Sequence, residues 1–155
     1  HPQLNSTFEN GQLNLHKNVN LALAVDTDRG LIVPVLKAAD QLTVRQIANQ
    51  RKVIVEKAIN GNVTPDELVG GTITLTNLGT LGIDFFTPII NPPQVAILGI
   101  GCIREIPSVK DGGICIRSVV GLALTCDHRV IDGAPAARFL ETLSQLIENP
   151  DKSWW

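Results

Sequence analysis

A chain of 155 residues can bury one good core, and its 44% hydrophobic and 18% charged residues are typical of a compact folded domain. The net charge of -2 and the scattered lysines and arginines give no electrostatic basis for binding nucleic acid. No apolar run is long enough to span a bilayer, so we expect no membrane partner.

The three cysteines, Cys102, Cys115 and Cys126, are odd in number and form no CxxC pair. We therefore expect no disulfide framework and a reducing compartment, the cytoplasm or, in a eukaryote, the mitochondrial matrix. The chain begins with His1 and contains no methionine. We interpret it as a fragment of a longer polypeptide, so that parts of a working site can lie outside it.

The first third of the chain predicts short strands. Asn10-Gly11 lies between alternating segments and indicates a tight hairpin. Apolar runs at residues 19–25 and 31–36 predict two further strands. Pro34 cannot donate a backbone hydrogen bond, which places the second of these runs at a sheet edge or a bulge.

The clearest predicted helix covers residues 43–60. Thr43 and Gln46 form a capping-box pattern at its start, and Gly61 is a natural stop. A one-turn helix is indicated at residues 64–67, ended by glycines 70 and 71. The longer helix has one apolar face, made by Val44, Ile47, Ala48, Ile54, Val55, Ala58 and Ile59.

The second half predicts three strands and a closing helix. The strands cover residues 72–76, 94–106 and 114–126, with a hairpin-type turn at 110–113. Residues 95–103 are almost continuously apolar, as expected for a strand covered on both faces. The final helix starts at Asp132 and stops before Pro150, and is expected to bury Ala136, Phe139, Leu140, Leu143 and Ile147. The predicted fold class is α/β, a mixed β-sheet with helices packed on it in two layers.

The densest group of reactive side chains is the run Cys-Asp-His-Arg-Val-Ile-Asp-Gly at residues 126–133, where a buried strand ends and a helix begins. His128 suits proton transfer because its unperturbed pKa lies near neutrality. Asp132 can cap the helix or bind a cation that rigidifies the turn. On composition alone an alternative stays open, in which both aspartates are caps and His128 is an incidental turn residue.

Residues 127–133 (DHRVIDG) resemble the HxxxDG signature of the dihydrolipoamide acyltransferases, the E2 components of 2-oxo acid dehydrogenase complexes. Three further blocks, at residues 24–35, 70–79 and 86–99, are similar to other characteristic stretches of that family. Four blocks in order across nearly the whole chain make coincidence a poor explanation. The resemblance implies a chloramphenicol acetyltransferase-like fold, a two-layer α/β sandwich with a mixed sheet.

The resemblance also implies a mechanism, in which an acyl group moves directly between dihydrolipoamide and coenzyme A, with both as substrates and no metal. His128 would be the general base that takes the thiol proton. Thr76 stands at the place of the family's Ser/Thr, whose hydroxyl donates to the oxyanion. Asp132 would orient the catalytic turn by pairing with an arginine, and Arg129 would serve the structure through a partner that the sequence does not name.

The family's architecture implies a homotrimer at minimum, in which Thr76 and His128 meet across a subunit boundary. Larger cores, cubic or dodecahedral with twenty-four or sixty subunits, are an open possibility. The E1 decarboxylase and the E3 dihydrolipoamide dehydrogenase would be partners. Residues 1–155 would form one catalytic domain without its N-terminal part, which includes the arginine expected at Asp132. A lipoyl domain and a subunit-binding domain would lie outside the sequence.

Two other sites fit the residues less well. Cys126 and His128 share a strand face and could form a Cys-His nucleophile, but a cysteine in an apolar strand is usually a small buried hydrophobe. Together with Cys102 and Cys115 they could make a Cys₃His zinc site, yet the spacing lacks the short pairs that such sites use.

Two rival functions also stay open, a core-forming scaffold with weak or no catalysis, and a transferase from coenzyme A to a small-molecule acceptor. The intact His128, Asp132 and Thr76 argue against the scaffold. The acyl group is not fixed, although Leu78-Gly79 and Phe85-Phe86 favour acetyl over succinyl or branched-chain groups.

Overall fold

The architecture is a five-stranded mixed sheet with two long helices. The computed structural model describes residues 1–110, 112–151 and 154. The strands of the sheet are β3 (Leu21–Leu23), β6 (Val35–Leu36), β7 (Ile73–Asn77), β8 (Ala96–Lys110) and β9 (Gly113–Cys126). Their order is β6-β3-β7-β8-β9, in which β3, β7 and β8 run parallel while β6 and β9 pair antiparallel at the edges. The predicted α/β class with a mixed sheet is confirmed.

Two small antiparallel pairs stand outside this sheet. The first joins β1 (Ser6–Glu9) to β2 (Gln12–Leu15), and the second joins β4 (Val25–Thr27) to β5 (Gly30–Ile32). The predicted hairpin at Asn10-Gly11 is confirmed. Both residues have positive φ, 52° and 76°, as a two-residue hairpin turn requires.

The first helix, α1 (Val44–Ile59), begins and ends where the sequence indicated. Thr43 accepts from the backbone of Gln46, whose side chain accepts from the backbone of Thr43, so the capping box is formed. Gly61 follows the helix with φ 70°. Short 3-10 turns cover Pro2–Leu4, Ala39–Gln41, Pro65–Glu67 and Gly79–Leu81. The two strands predicted at residues 19–25 and 31–36 are each divided between two short strands that belong to different sheets, so those strand predictions are wrong in extent. The prediction that Pro34 lies near an edge is confirmed, because β6 is the edge strand that follows it.

Two apolar clusters hold these elements. One packs Leu23 and Val25 against Ile54 and Ala58 of α1. The other joins Leu4 and the start of the β8 segment to Ile131, which precedes the second helix and is 2% exposed. The second cluster therefore ties the run at residues 127–133 to the sheet.

The burial predicted for the closing helix is wrong. That helix, α2 (Gly133–Glu148), contains no buried residue among its sixteen, and Ile147 is 51% exposed. The predicted contacts Ala136, Phe139, Leu140 and Leu143 are only half-buried. Phe139 and Leu143 line an apolar cavity of about 340 Å³ that also borders Leu75 and Leu98 of the sheet. The helix therefore has the predicted apolar face, but the described residues leave a cavity between that face and the sheet.

The expectation that residues 95–103 are covered on both faces holds only for the first half. Residues 95–98 are buried, whereas Ile103 is 73% exposed. Beyond an irregularity between Ile100 and Ile103, β8 and β9 pair only with each other and leave the sheet as a two-stranded ribbon, residues 103–110 and 113–120. The predicted turn at 110–113 includes Asp111, which lies outside the described residues.

No helix in the described part of the chain is long and apolar enough to cross a membrane.

One buried hydrogen bond offers a test of the sheet. Thr74 Oγ1 donates to Gln94 Oε1 at 2.6 Å, and the two residues are 1% and 6% exposed. Thr74→Val keeps the shape but leaves the amide oxygen without this donor, so we expect the free energy of unfolding to fall by about 1–3 kcal/mol. Urea denaturation measures it, with Thr74→Ser as the control that keeps the hydroxyl. A valine variant no less stable than the serine variant would contradict the assignment.

Candidate active site

The turn between β9 and α2 is fixed by its backbone. Asp127 N donates to Val95 O at 2.8 Å, which continues the sheet pairing by one residue. The amides of Val130 and Ile131 both donate to Asp127 O at 3.0 Å. Since Ile131 is buried in the core, the turn is anchored at both ends.

Asp127 and Arg129 flank His128 and form a bidentate ion pair. Arg129 Nε lies 2.9 Å from Asp127 Oδ1 and Nη2 lies 2.6 Å from Oδ2, while the Arg129 amide also donates to Oδ1 at 3.0 Å. The guanidinium holds the pKa of the Asp127 carboxyl below its usual range. Arg129 also lies over the ring of Phe8, with 4.6 Å from Cζ to the centroid. The partners of Arg129 are therefore Asp127 and Phe8.

His128 and Asp132 face solvent beside each other. Their side chains are 81% and 82% exposed, with 3.6 Å between His128 Nδ1 and Asp132 Oδ1. Asp132 occupies the N-cap position of α2, but its side chain makes no capping hydrogen bond, so the expected cap is wrong in that respect. The Asp132 carboxylate lies on the Nδ1 side of the imidazole, so Nε2 is the ring nitrogen without this neighbour.

Thr76 lies two strands away from the strand that leads into this turn. It is half-buried in β7 opposite Gly99 of β8, which in turn pairs with Ala123 of β9. The strand β9 ends at Cys126, which pairs with Ala96. Two strand spacings and three residue rises put the backbones of Thr76 and Cys126 roughly 14 Å apart.

The direction of the strands accounts for part of this separation. Thr76 lies towards the carboxyl end of β7, while β9 runs antiparallel and delivers His128 to the opposite end of the strands, beside the start of β8. The fold of one chain brings His128 and Asp132 together but does not bring Thr76 to them.

Sequence reasoning missed a polar cluster beside the loop that follows Thr76. Asp84 Oδ1 accepts from Arg104 Nε and from Cys102 Sγ, each at 2.7 Å. The Cys102 thiol, followed by the Arg104 guanidinium, lowers the pKa of the Asp84 carboxyl. Asp84 is the only charged residue between Glu67 and Arg104 in the sequence, a signal that could have found the pair.

The positions of the cysteines support neither the Cys-His nucleophile nor the Cys₃His zinc site. Burial raises the pKa of the Cys126 thiol to about 11, so it is protonated at neutral pH and a poor nucleophile. Cys115 lies in the ribbon opposite Ser108, eleven positions along β9 from Cys126. Within the described residues there is no group of three His, Cys, Asp or Glu side chains that could hold a metal ion.

Comparison with known proteins adds relatives over almost the whole chain. Residues 1–154 match the catalytic domain of the 2-oxoacid dehydrogenases acyltransferase family. The chain is 45% identical over 154 residues to the dihydrolipoyllysine-residue acetyltransferase component of a pyruvate dehydrogenase complex from Staphylococcus aureus, covering 97% of the chain and 36% of the relative. It is 41% identical to the succinyltransferase component of the 2-oxoglutarate dehydrogenase complex of Haemophilus influenzae, over 98% and 37% of the two chains. The chain thus spans little more than a third of these curated relatives.

Solved structures agree. Azotobacter vinelandii dihydrolipoamide acetyltransferase, investigated for the role of a serine, a histidine and an asparagine in its catalytic mechanism, superposes with TM-score 0.91 and 41% identity, over 96% of this chain and 62% of that one. The cubic core of a pyruvate dehydrogenase multienzyme complex gives TM-score 0.90 and 40% identity, over 96% and 62%. Chloramphenicol acetyltransferase, at 15% identity and TM-score 0.58 over 93% and 69%, shares the fold.

The sheet order, the His128–Asp132 turn and these matches lead to one conclusion: the chain belongs to the 2-oxoacid dehydrogenase acyltransferase family and matches its catalytic domain over residues 1–154.

Proposed function

We propose that the chain transfers an acyl group between dihydrolipoamide and coenzyme A, with His128 as the general base. The observation that carries this proposal is the exposed imidazole of His128, which is backed by Asp132 on a turn that is fixed at both ends. An exposed base on a rigid support is what proton transfer to an arriving substrate needs. Membership of the acyltransferase family supports the choice of reaction.

The proposed reaction is one direct substitution. His128 Nε2 takes the proton from the attacking thiol, and the thiolate sulfur bonds to the carbonyl carbon of the other partner's thioester. The tetrahedral intermediate then breaks its bond to the second sulfur, which leaves as a thiolate and takes the proton back from the imidazolium. Asp132 stabilises that imidazolium. No acyl-enzyme forms, in keeping with the raised pKa of Cys126.

We assign the oxyanion donor to Thr76. Thr76 lies 52 positions before His128, and Asp132 lies four after it, the spacing of the serine, histidine and asparagine investigated in the Azotobacter vinelandii enzyme. Threonine keeps the hydroxyl that a serine would supply. Aspartate in place of asparagine keeps an oxygen beside the imidazole, 3.6 Å from His128 Nδ1.

Because Thr76 and His128 lie towards opposite ends of the strands, we propose that the working site forms between two copies of the chain. We propose a homotrimer at minimum, in which each copy supplies Thr76 to the site it shares with one neighbour and His128 to the site it shares with the other. The exposed ribbon supports association, since Ile103, Val109, Ile114 and Ile116 share one of its faces and are 73% to 85% exposed. The similarity to a cubic multienzyme core also supports it.

We propose acetyl as the acyl group, and the E1 and E3 enzymes of the parent complex as further partners in the cytoplasm. The acetyl assignment rests on the acetyltransferase relative and on the apolar loop after Thr76, where Phe86 packs within about 3 Å of the position that a Cβ on Gly99 would occupy. The comparable identity to a succinyltransferase makes parallel assays with acetyl and succinyl donors necessary.

His128→Ala should lower acyl transfer by about 10²–10⁴-fold, because a positioned base is lost. The assay follows transfer from acetyl-coenzyme A to dihydrolipoamide, in the longest natural polypeptide that contains this chain. His16→Gln is the matched control, since His16 contacts Thr7 in the first hairpin and lies apart from the turn. Full activity in His128→Ala would remove the base from the mechanism. A wild-type oligomer that transfers no acyl group would favour the scaffold function instead.

Thr76→Ala should reduce kcat by about 10²–10³-fold, the usual cost of one oxyanion donor, while the KM for coenzyme A changes little. Thr76→Ser retains the hydroxyl and should stay near wild type. An effect confined to KM, or an equal loss in both variants, would show that the hydroxyl is not the donor.

A further inference from the structure

The residues on either side of His128 form a clamp with a ring from a distant hairpin. We use the name clamp for Asp127, Arg129 and Phe8. The Asp127 side chain is 9% exposed and binds Arg129 through both of its oxygens. Such a fork-to-fork pair has one preferred geometry, so it fixes direction as well as distance.

The clamp controls the backbone of the residue that it surrounds. Asp127 Oδ1 accepts from the Arg129 amide at 3.0 Å, and Asp127 O accepts from the amides of Val130 and Ile131. His128 lies inside this ring of bonds while its own side chain is 81% exposed. The orientation of its imidazole therefore depends on the backbone that Asp127 and Arg129 hold, and not on side chains packed around the ring.

Phe8 holds the outer face of Arg129. A cation over an aromatic face is attracted by the ring, and here the guanidinium is 4.6 Å from the centroid. The ring position is itself fixed, because Phe8 N donates to Pro93 O at 2.8 Å and Thr7 bridges to Gln94. The next residue, Val95, is the one whose carbonyl accepts from Asp127. One short segment thus anchors both halves of the clamp.

We infer that Phe8, Arg129 and Asp127 are positioning residues for the base, with Phe8 acting on His128 through the guanidinium of Arg129. This inference rests on the proposed function, because it concerns how well His128 is aimed at a thiol. A misplacement of about 1 Å in a reacting group can cost 10²-fold in rate, so loss of the clamp should appear in kcat.

The test compares variants of the clamp in the longest natural polypeptide that contains the chain. Phe8→Leu keeps an apolar side chain without the ring and should lower kcat about three- to tenfold, with the KM for coenzyme A within about twofold. Phe8→Tyr restores the aromatic face and should return kcat to within about twofold of wild type. Arg129→Lys keeps the charge but loses the planar fork, and should cost about tenfold or more. Arg51→Lys, exposed on α1, is the matched control.

A readout that does not depend on turnover accompanies the kinetics. Hydrogen exchange of the amides of Arg129, Val130 and Ile131 should be faster in Phe8→Leu than in wild type, and normal again in Phe8→Tyr. Equal kcat in wild type, Phe8→Leu and Arg129→Lys would overturn the inference. Equal losses in Phe8→Leu and Phe8→Tyr would overturn it too, because the aromatic face would then not matter.

The role of His128 and the role of the clamp are tested by different outcomes. If His128→Ala keeps full activity, the proposed function is wrong, yet the exchange rates still report whether Phe8 and Arg129 hold the turn. If His128→Ala is inactive while the clamp variants match wild type in kcat and in exchange, the base stands and the clamp is wrong.

Discussion

The antiparallel pairing of β9 with β8 is the constraint on which the proposed site depends. It returns the chain to the end of the strands opposite the carboxyl end of β7, so that Thr76 and His128 lie towards opposite ends of the sheet. No rotation of a side chain closes a gap of roughly 14 Å between backbones. In the proposed mechanism, the oxyanion donor and the base that act on one thioester therefore come from two chains.

Other features of the single chain agree with a site of this kind. His128 and Asp132 are almost fully exposed, although general-base catalysis gains from a site that excludes water. The ribbon carries large apolar side chains into solvent, and a two-stranded ribbon is marginally stable when nothing covers it. In the proposed account, neighbouring copies cover these surfaces. The orientation of the His128 imidazole, in contrast, is set within one chain, by the clamp of Asp127, Arg129 and Phe8.

Local signals in the sequence predicted local structure well. The Thr43 capping box, Gly61 and the Asn10-Gly11 turn each act within a few residues, and all three are formed. The HxxxDG turn was found for the same reason, since His128 and Asp132 lie four positions apart and are adjacent in space.

Contacts between distant segments were not predictable from residue patterns. Phe8 and Arg129 are separated by most of the chain, and the sequence gives no reason to choose this ring over another. The pairing of Asp84 with Arg104 depends on how the loop after β7 folds back on β8. The sequence shows that α2 and the segment at Ile103 carry apolar side chains. It does not show whether another surface covers those side chains, and in the single chain they stay partly or largely exposed.

The most direct test of the shared site is complementation between two inactive chains. Polypeptides carrying only His128→Ala and polypeptides carrying only Thr76→Ala are co-expressed in equal amounts and assayed for acetyl transfer after assembly. If each site takes Thr76 from one copy and His128 from another, random mixing leaves about a quarter of the sites intact, and activity rises far above that of either parent towards about a quarter of wild type. Activity that stays at the average of the two parents, in oligomers shown to contain both chains, would contradict a site built between copies.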